Sequence, residues 1–254
     1  MTDQPLDATA PATRRDFVST LAIGGLAVVA AACAHPAAGS TTPTPADAPA
    51  APAAPPRPAG PPIQLPPPKG DGPWDMSWLD RVDRARYKLM FDVGAYLDGG
   101  GLYYAKNYLN GMRDGWGAEA PDVLALLGVS GNAYPIVFGD QIWEKYHYGT
   151  SSKTNDPRTG QVSTRNIFWK PRPGEPMAEF GVDVLQGRGA QLLLCNNVFR
   201  GVIRQVIRDT GRSYDEVRAE LKAGFLPGVI VVPAMVAAMA MAQARGAAYV
   251  FAGV

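Results

Sequence analysis

Cysteine and histidine are both scarce in this chain, which contains only two residues of each type among 254. The cysteines are Cys33 and Cys195, and His147 is the only histidine after residue 35. A zinc site built from histidine and cysteine ligands is therefore excluded. A Ser-His-Asp triad would have to use His147. The sequence implies no metal ion, and thiol chemistry beyond the N-terminal region falls to Cys195 alone.

The chain also lacks a strong excess of charge and the usual nucleotide-binding motifs. Its formal net charge is +1, and no basic stripe with interleaved aromatic residues occurs, so we expect no nucleic-acid partner. Neither a GxGxxG nor a Walker sequence is present. The run Asp98-Gly99-Gly100-Gly101 is therefore interpreted as a flexible turn between a strand and a helix. No organic cofactor is implied.

The first 33 residues have the features of an export signal. Arg14 and Arg15, with Phe17 two places further on, resemble a twin-arginine signal. The apolar stretch from Leu21 to Ala32 is too short for a transmembrane helix. We expect residues 1–33 to be a signal peptide and the protein to be exported, either to the periplasm or to a lipid anchor in the cell envelope.

Cys33 is the candidate for that anchor. The sequence before it, three alanines, resembles a lipobox, in which the cysteine would be lipidated, whereas cleavage at an Ala-x-Ala site would release a soluble protein. Of the 33 residues from Pro36 to Pro68, 13 are proline, so we expect residues 34–71 to be an extended, disordered linker of roughly 100 Å. A long tether favours the anchored form. No intramolecular disulfide is expected in either case.

Residues 72–254 have the length and apolar content of one domain, and short apolar segments alternate in it with amphipathic ones. Alternating strands and helices predict a three-layer α/β domain with a mainly parallel sheet, flavodoxin-like in layout. Ligands of such sheets bind at the carboxyl ends of the strands. The predicted strands are Tyr87 to Val93, Val123 to Leu127, Leu192 to Cys195, Gly228 to Val232 and Ala248 to Phe251.

Helices are predicted between these strands, and one long segment has neither pattern. Residues 149–181 are polar and rich in Gly, Pro, Ser and Thr, which predicts a long loop or flap. The helix from Ala234 to Arg245 is apolar nearly all round, so it should be buried against the sheet or a second subunit. Four other helices are predicted: one follows the glycine run as far as Trp116, and one spans Ile136 to Tyr146. The third follows Cys195 and continues to about Arg208, and the fourth begins with a capping box at Ser213.

Cys195 lies where a buried strand should pass into a helix. Asn196 and Asn197 follow it and supply N-cap or hydrogen-bonding groups. A thiol close to a helix N-terminus is favoured in its thiolate form, which makes Cys195 the candidate nucleophile. Arg200, on the same helix, would add positive potential or lie in solvent. The alternative interpretation is that Cys195 is a small buried hydrophobic residue beside three leucines.

Three stretches of the chain resemble the DsrE/DsrF-like family, which includes sulfur-relay proteins. They are residues 87–109, residues 192–201 around Cys195, and the segment from Leu226 to Val250, so the resemblance covers about residues 84–253. It implies a DsrE-like fold, a homo-oligomer, and a persulfide carried by Cys195. Many relatives have a His-Gly pair after the second strand; Ser130 and Gly131 stand there in this chain, and Ser130 could donate a hydrogen bond.

Three functional hypotheses follow. The first is an exported DsrE-like protein that carries sulfane sulfur on Cys195, receiving it from and passing it to a partner protein or small thiol. The alternative is a non-catalytic envelope protein that uses the fold for ligand binding or self-association. A third idea makes His147 a catalytic base with Asp140 or Glu144 nearby, against a structural role for that histidine.

Overall fold

The computed structural model describes residues 71–252, which form a five-stranded parallel sheet with helices on both faces. The predicted three-layer α/β fold with a flavodoxin-like layout is confirmed, and the described sheet is parallel throughout. The predicted signal peptide, with Arg14, Arg15 and Cys33, and the predicted linker up to residue 70 lie outside the described residues. The strand order is β4-β3-β2-β1-β5, where β1 is Tyr87–Val93, β2 is Val123–Val129, β3 is Gln191–Cys195, β4 is Ile230–Val232 and β5 is Ala248–Phe251.

The direction of each crossover decides which face a helix covers. The chain moves the same way across the sheet from β1 to β4, and right-handed crossovers then place the intervening helices on one face, called here the first face. The return from β4 to β5 puts its helix on the second face, where the first helix joins it. None of the described helices is long and apolar enough to cross a membrane. The helices are α1 (Ser77–Arg84), α2 (Gly100–Trp116), α3 (Asp140–Lys145), α4 (Tyr148–Ser151), α5 (Val182–Gly187), α6 (Asn196–Thr210), α7 (Tyr214–Ala223) and α8 (Met235–Ala244).

The helix predicted from Ile136 to Tyr146 is confirmed only for Asp140–Lys145 and is wrong before Asp140. A 3-10 turn spans Gly131–Val137, and α3 begins only at Asp140. Phe138 between them is extended because it forms an antiparallel bridge with Phe225. Tertiary pairing with the segment that follows α7 therefore overrides the local helical pattern.

The long loop predicted at 149–181 contains the end of α4 and then, from Ser152 to Gly181, neither helix nor strand of the sheet. It is held by polar contacts. Arg165 donates two hydrogen bonds of 2.8 Å to Asp156, and these bonds lower the pKa of that carboxyl. Asn166 is fully buried and donates to the carbonyl oxygens of Ile136 and Phe138. The loop is thus fixed onto the first face of the domain.

Helix α8 is only partly buried, although its sequence is apolar nearly all round. Met235, Ala238, Met239 and Ala242 pack against the second face of the sheet. Val236 on the opposite side of the helix is 77% exposed. The prediction that the sheet or a second subunit would bury this helix is confirmed for one side, which the sheet covers.

Candidate functional site

Cys195 is the last residue of β3, at the carboxyl edge of the sheet, as the sequence predicted. Leu192 and Leu194 belong to the core of the first face, whereas Leu193 and Cys195 belong to that of the second. The thiol therefore points toward α1 and α8, away from α6. The residue is only 6% exposed.

The sulfur of Cys195 receives a hydrogen bond from the start of a helix, but not from the helix that was expected. The backbone N–H of Met235, the first residue of α8, donates to Sγ over 3.4 Å. Helix α6 begins at the next residue in sequence and leaves from the other face. A peptide N–H at a helix N-terminus favours negative charge on the atom it contacts. The arrangement can therefore assist a reaction in which the sulfur acts as a thiolate.

Ser130 is next to Cys195 in the register of the sheet. Val129 of β2 pairs with Leu194 of β3, so Ser130 and Cys195 are each one residue further along. Ser130 is half-buried, and its Oγ lies 3.7 Å from the position that a Cβ on Gly94 would occupy. The alternation of side chains along a strand places Ser130 on the same face as the thiol.

Apolar side chains pack closely around this end of the second face. A Cβ on Gly128 would lie 2.6 Å from Cε of Met90 and 2.7 Å from Sδ of Met235. The thiol belongs to the same core cluster as these methionines and Trp78. Flexible thioether side chains thus belong to the same cluster as the thiol.

The other predicted supporting residues are not gathered at the thiol. Asn196 donates from Nδ2 to Asp71 Oδ2 over 2.9 Å, and Arg200 forms an ion pair of 3.7 Å with the same carboxylate. Asn197 is exposed. The asparagine and arginine that were expected to assist Cys195 instead bind an aspartate that precedes α1. Nothing in the local sequence indicated Asp71, because it lies 125 residues away from Asn196.

A cavity of about 430 Å³ lies at the carboxyl ends of β1 and β2. Tyr96, Asp98, Asn132 and Lys153 are among the residues that line it, and Cys195 is not. The N–H of Tyr96 donates to Asn132 Oδ1 over 2.7 Å, and burial raises the pKa of the Tyr96 hydroxyl to about 12. Asp98 and Lys153 both have left-handed backbone, a strained conformation that is common at binding sites.

The glycine run beside this cavity is a closely packed turn. A Cβ on Gly99 would lie 2.4 Å from Cε1 of Phe168, and one on Gly101 would lie 2.6 Å from Cγ1 of Val93. The predicted strand-to-helix turn is present, and close contact with neighbouring side chains explains Gly99 and Gly101, of which Gly99 also has φ +81°.

His147 is exposed and has left-handed backbone at the start of α4. No cluster of three or more His, Cys, Asp or Glu side chains that could hold a metal ion occurs within residues 71–252.

Taken together, fold and site define a three-layer α/β protein with one buried thiol at the carboxyl edge of its sheet. Searches of family models, curated proteins and solved structures gave no match to this chain.

Proposed function

We propose that this chain is an exported DsrE-like protein that carries sulfane sulfur as a persulfide on Cys195. The observation that carries the proposal is the hydrogen bond that the backbone N–H of Met235 donates to Cys195 Sγ, at the carboxyl end of β3. Ser130, one step along the neighbouring strand, could donate a further hydrogen bond. A homo-oligomer and a donor or acceptor thiol are part of the same proposal.

The proposed reaction is a transfer of one sulfur atom. The Cys195 thiolate attacks the outer sulfur of a donor persulfide, R–S–SH. The S–S bond of the donor breaks, a new S–S bond forms on Cys195, and the thiolate R–S⁻ leaves and takes up a proton. Attack of an acceptor thiolate on the outer sulfur then regenerates Cys195. The peptide N–H of Met235 stabilises the anionic sulfur before attack and after release.

The test is alkylation of Cys195 in the folded full-length chain. Cys33→Ser leaves Cys195 as the only thiol, and Cys33→Ser/Cys195→Ser is the matched control. We expect a saturable rise of the alkylation rate with pH and, after polysulfide treatment, an added mass of one sulfur that dithiothreitol removes. A thiol that reacts only in denaturant, with no added sulfur, would contradict the proposal.

Substitutions at Met235 test whether its backbone N–H activates the sulfur of Cys195. Proline is accepted at the first position of a helix, and Ala234 before it is already extended, so Met235→Pro should remove the donor and keep α8. Met235→Leu is the control, because it changes the side chain and keeps the N–H. We expect Met235→Pro to lower the neutral-pH alkylation rate of Cys195 several-fold relative to Met235→Leu. Equal rates would mean that the N–H does not activate the sulfur.

A second candidate is a binding module that does not use the thiol. The cavity of about 430 Å³ at the ends of β1 and β2 favours it, because open parallel sheets bind ligands at that edge. The exposed apolar side of α8 around Val236 would be the surface for self-association. An inert Cys195 in the alkylation test would make this second function the better supported one.

The lipid anchor at Cys33 has its own test. Membrane association that persists after Cys33→Ser would exclude the anchor.

A further inference from the structure

Asp71 is held by four side chains that belong to α6 and α7. Asn196 Nδ2 donates to Oδ2 over 2.9 Å, and the hydroxyl of Tyr214 donates to Oδ1 over 3.1 Å. Arg200 and Arg218 add ion pairs of 3.7 and 3.6 Å, and Arg218 also donates to the Asp71 carbonyl oxygen. These four residues are called the anion cradle below. The hydrogen bond from Asn196 and the two arginines lower the pKa of the Asp71 carboxyl.

The anion cradle has unused hydrogen-bonding capacity. Asn196 is only 5% exposed, and its Oδ1 makes no hydrogen bond within residues 71–252. The buried Nε of Arg218 also makes none there, although it faces the Asp71 carboxylate at 3.6 Å. Buried polar atoms of this kind usually have partners in a folded protein. The Nε–H of Arg218 is therefore a donor that Asp71 leaves unsatisfied, whereas Asn196 Oδ1 is an acceptor, which no carboxylate satisfies.

A cavity of about 190 Å³ lies directly beside the cradle, along β4. Phe199 and Phe225 give it an apolar wall, Arg218 and Lys222 give it positive charge, and Asp75 adds a carboxylate besides that of Asp71. Asp71 and the segment that follows it close the other side. This volume is similar to that of an apolar protein cavity that admits benzene, about 150 Å³. Cationic donors next to a ring-sized apolar space suit a small organic acid.

We propose that the anion cradle and this cavity form a binding site for a small organic carboxylate with an apolar body, and that Asp71 occupies the carboxylate position as an internal competitor. The ligand carboxylate replaces that of Asp71 on Asn196, Tyr214 and Arg218. Its apolar part enters the cavity alongside Phe199 and Phe225, whose rings pack against each other with their centroids 5.1 Å apart. The site does not involve the thiol, so it stands whether or not Cys195 carries sulfur.

The test uses benzoate as the probe and the full-length chain in three forms: wild type, Asp71→Ala and Asp71→Ala/Arg218→Gln. Binding is measured by calorimetry and by the rise in Tm, with benzyl alcohol as the neutral control and sodium chloride at equal ionic strength. We expect Asp71→Ala to bind benzoate about tenfold or more tightly than wild type, the effect of one charge-assisted hydrogen bond gained by the ligand. The double variant should lose that gain, and benzyl alcohol should not reproduce it.

Two results would overturn the proposal. One is no benzoate binding to Asp71→Ala, which would leave Asp71 as a purely structural tie between the chain before α1 and the α6–α7 pair. The other is equal binding to Asp71→Ala and to the double variant, which would place the ligand elsewhere. If Asp71→Ala does not fold, Asp71→Asn, which keeps the shape and removes the charge, takes its place under the same criteria.

Discussion

Gly99 and Gly117 lie at the two ends of α2, both in left-handed backbone, but only one of them has a close neighbour. Gly99 has φ +81°, and a Cβ there would lie 2.4 Å from Cε1 of Phe168, which is fully buried. Gly117 has φ +62°, and nothing lies within 4 Å of the position its Cβ would take. Replacing each with alanine therefore separates backbone strain from steric overlap.

The expected magnitudes differ between the two sites. A left-handed backbone costs a residue with a Cβ about 1–2 kcal/mol, and this applies to both variants. Overpacking a filled core adds about 1–3 kcal/mol, and this applies only to Gly99, because the new methyl group would overlap the fully buried Phe168. We expect a loss of about 1–2 kcal/mol for Gly117→Ala and about 2–5 kcal/mol for Gly99→Ala.

Equilibrium unfolding in urea measures both losses, and an unchanged m-value shows that the unfolding transition itself is unaltered. A Gly99→Ala/Phe168→Leu double variant tests the contact directly. Its loss should be smaller than the sum of the two single losses, since the smaller side chain makes room for the new methyl group. Equal losses for the two alanine variants would refute the argument that Phe168 packs against this turn.

Three further predictions concern polar contacts. Asn166→Ala should lower the free energy of unfolding in urea by about 2–4 kcal/mol, because it leaves the carbonyl oxygens of Ile136 and Phe138 buried without donors; a loss below 1 kcal/mol would contradict this. Although partial burial opposes ionisation of Glu220, hydrogen bonds from Lys145, Tyr146 and Arg212 lower its pKa to about 2. The stabilisation that ionised Glu220 gives the folded state is therefore complete above the unfolded pKa of about 4.3 and is lost as the pH falls toward 2. Glu220→Gln should therefore flatten the dependence of Tm on pH between about 4 and 2, and an unchanged slope would contradict it. Ser213→Ala removes the capping box of α7 and should cost about 1 kcal/mol in urea, whereas a neutral result would mean that the cap does not stabilise the helix.

The strands could be predicted closely because each is a short, nearly continuous apolar run between polar turns. The prediction for β1 coincides with its observed bounds, Tyr87–Val93, and those for β2 and β3 differ at one end by a residue or two. Such runs are typical of strands that are buried on both faces. Helix α1 was not predicted, since its core contacts come from just Trp78, Leu79 and Val82 and Met76 provides no side-chain cap. Its position depends on the second face of the sheet, which no local pattern describes.

Long-range pairing explains why the site was only partly predictable. The Asn196–Asp71 contact joins residues 125 positions apart, and the bridge that interrupts the helix predicted at Ile136 joins Phe138 to Phe225. Composition and periodicity carry no information about which distant segments meet. The sequence could indicate that Asn196 supplies hydrogen bonds and Arg200 positive potential, but not that an aspartate of the same chain would be the group they hold.

The face of the sheet to which the Cys195 thiol points could not be predicted either. Leu192, Leu193, Leu194 and Cys195 are all apolar, so the sequence offers no alternation from which to assign a face. On the first face the thiol would lie under α6, the helix that the sequence places directly after it. On the second face it meets the start of α8, 40 residues later, and receives its hydrogen bond from Met235. The chemistry of Cys195 therefore depends on how α8 is seated on the sheet, and changes at the start of α8 should alter the thiol more than changes in the asparagines beside it.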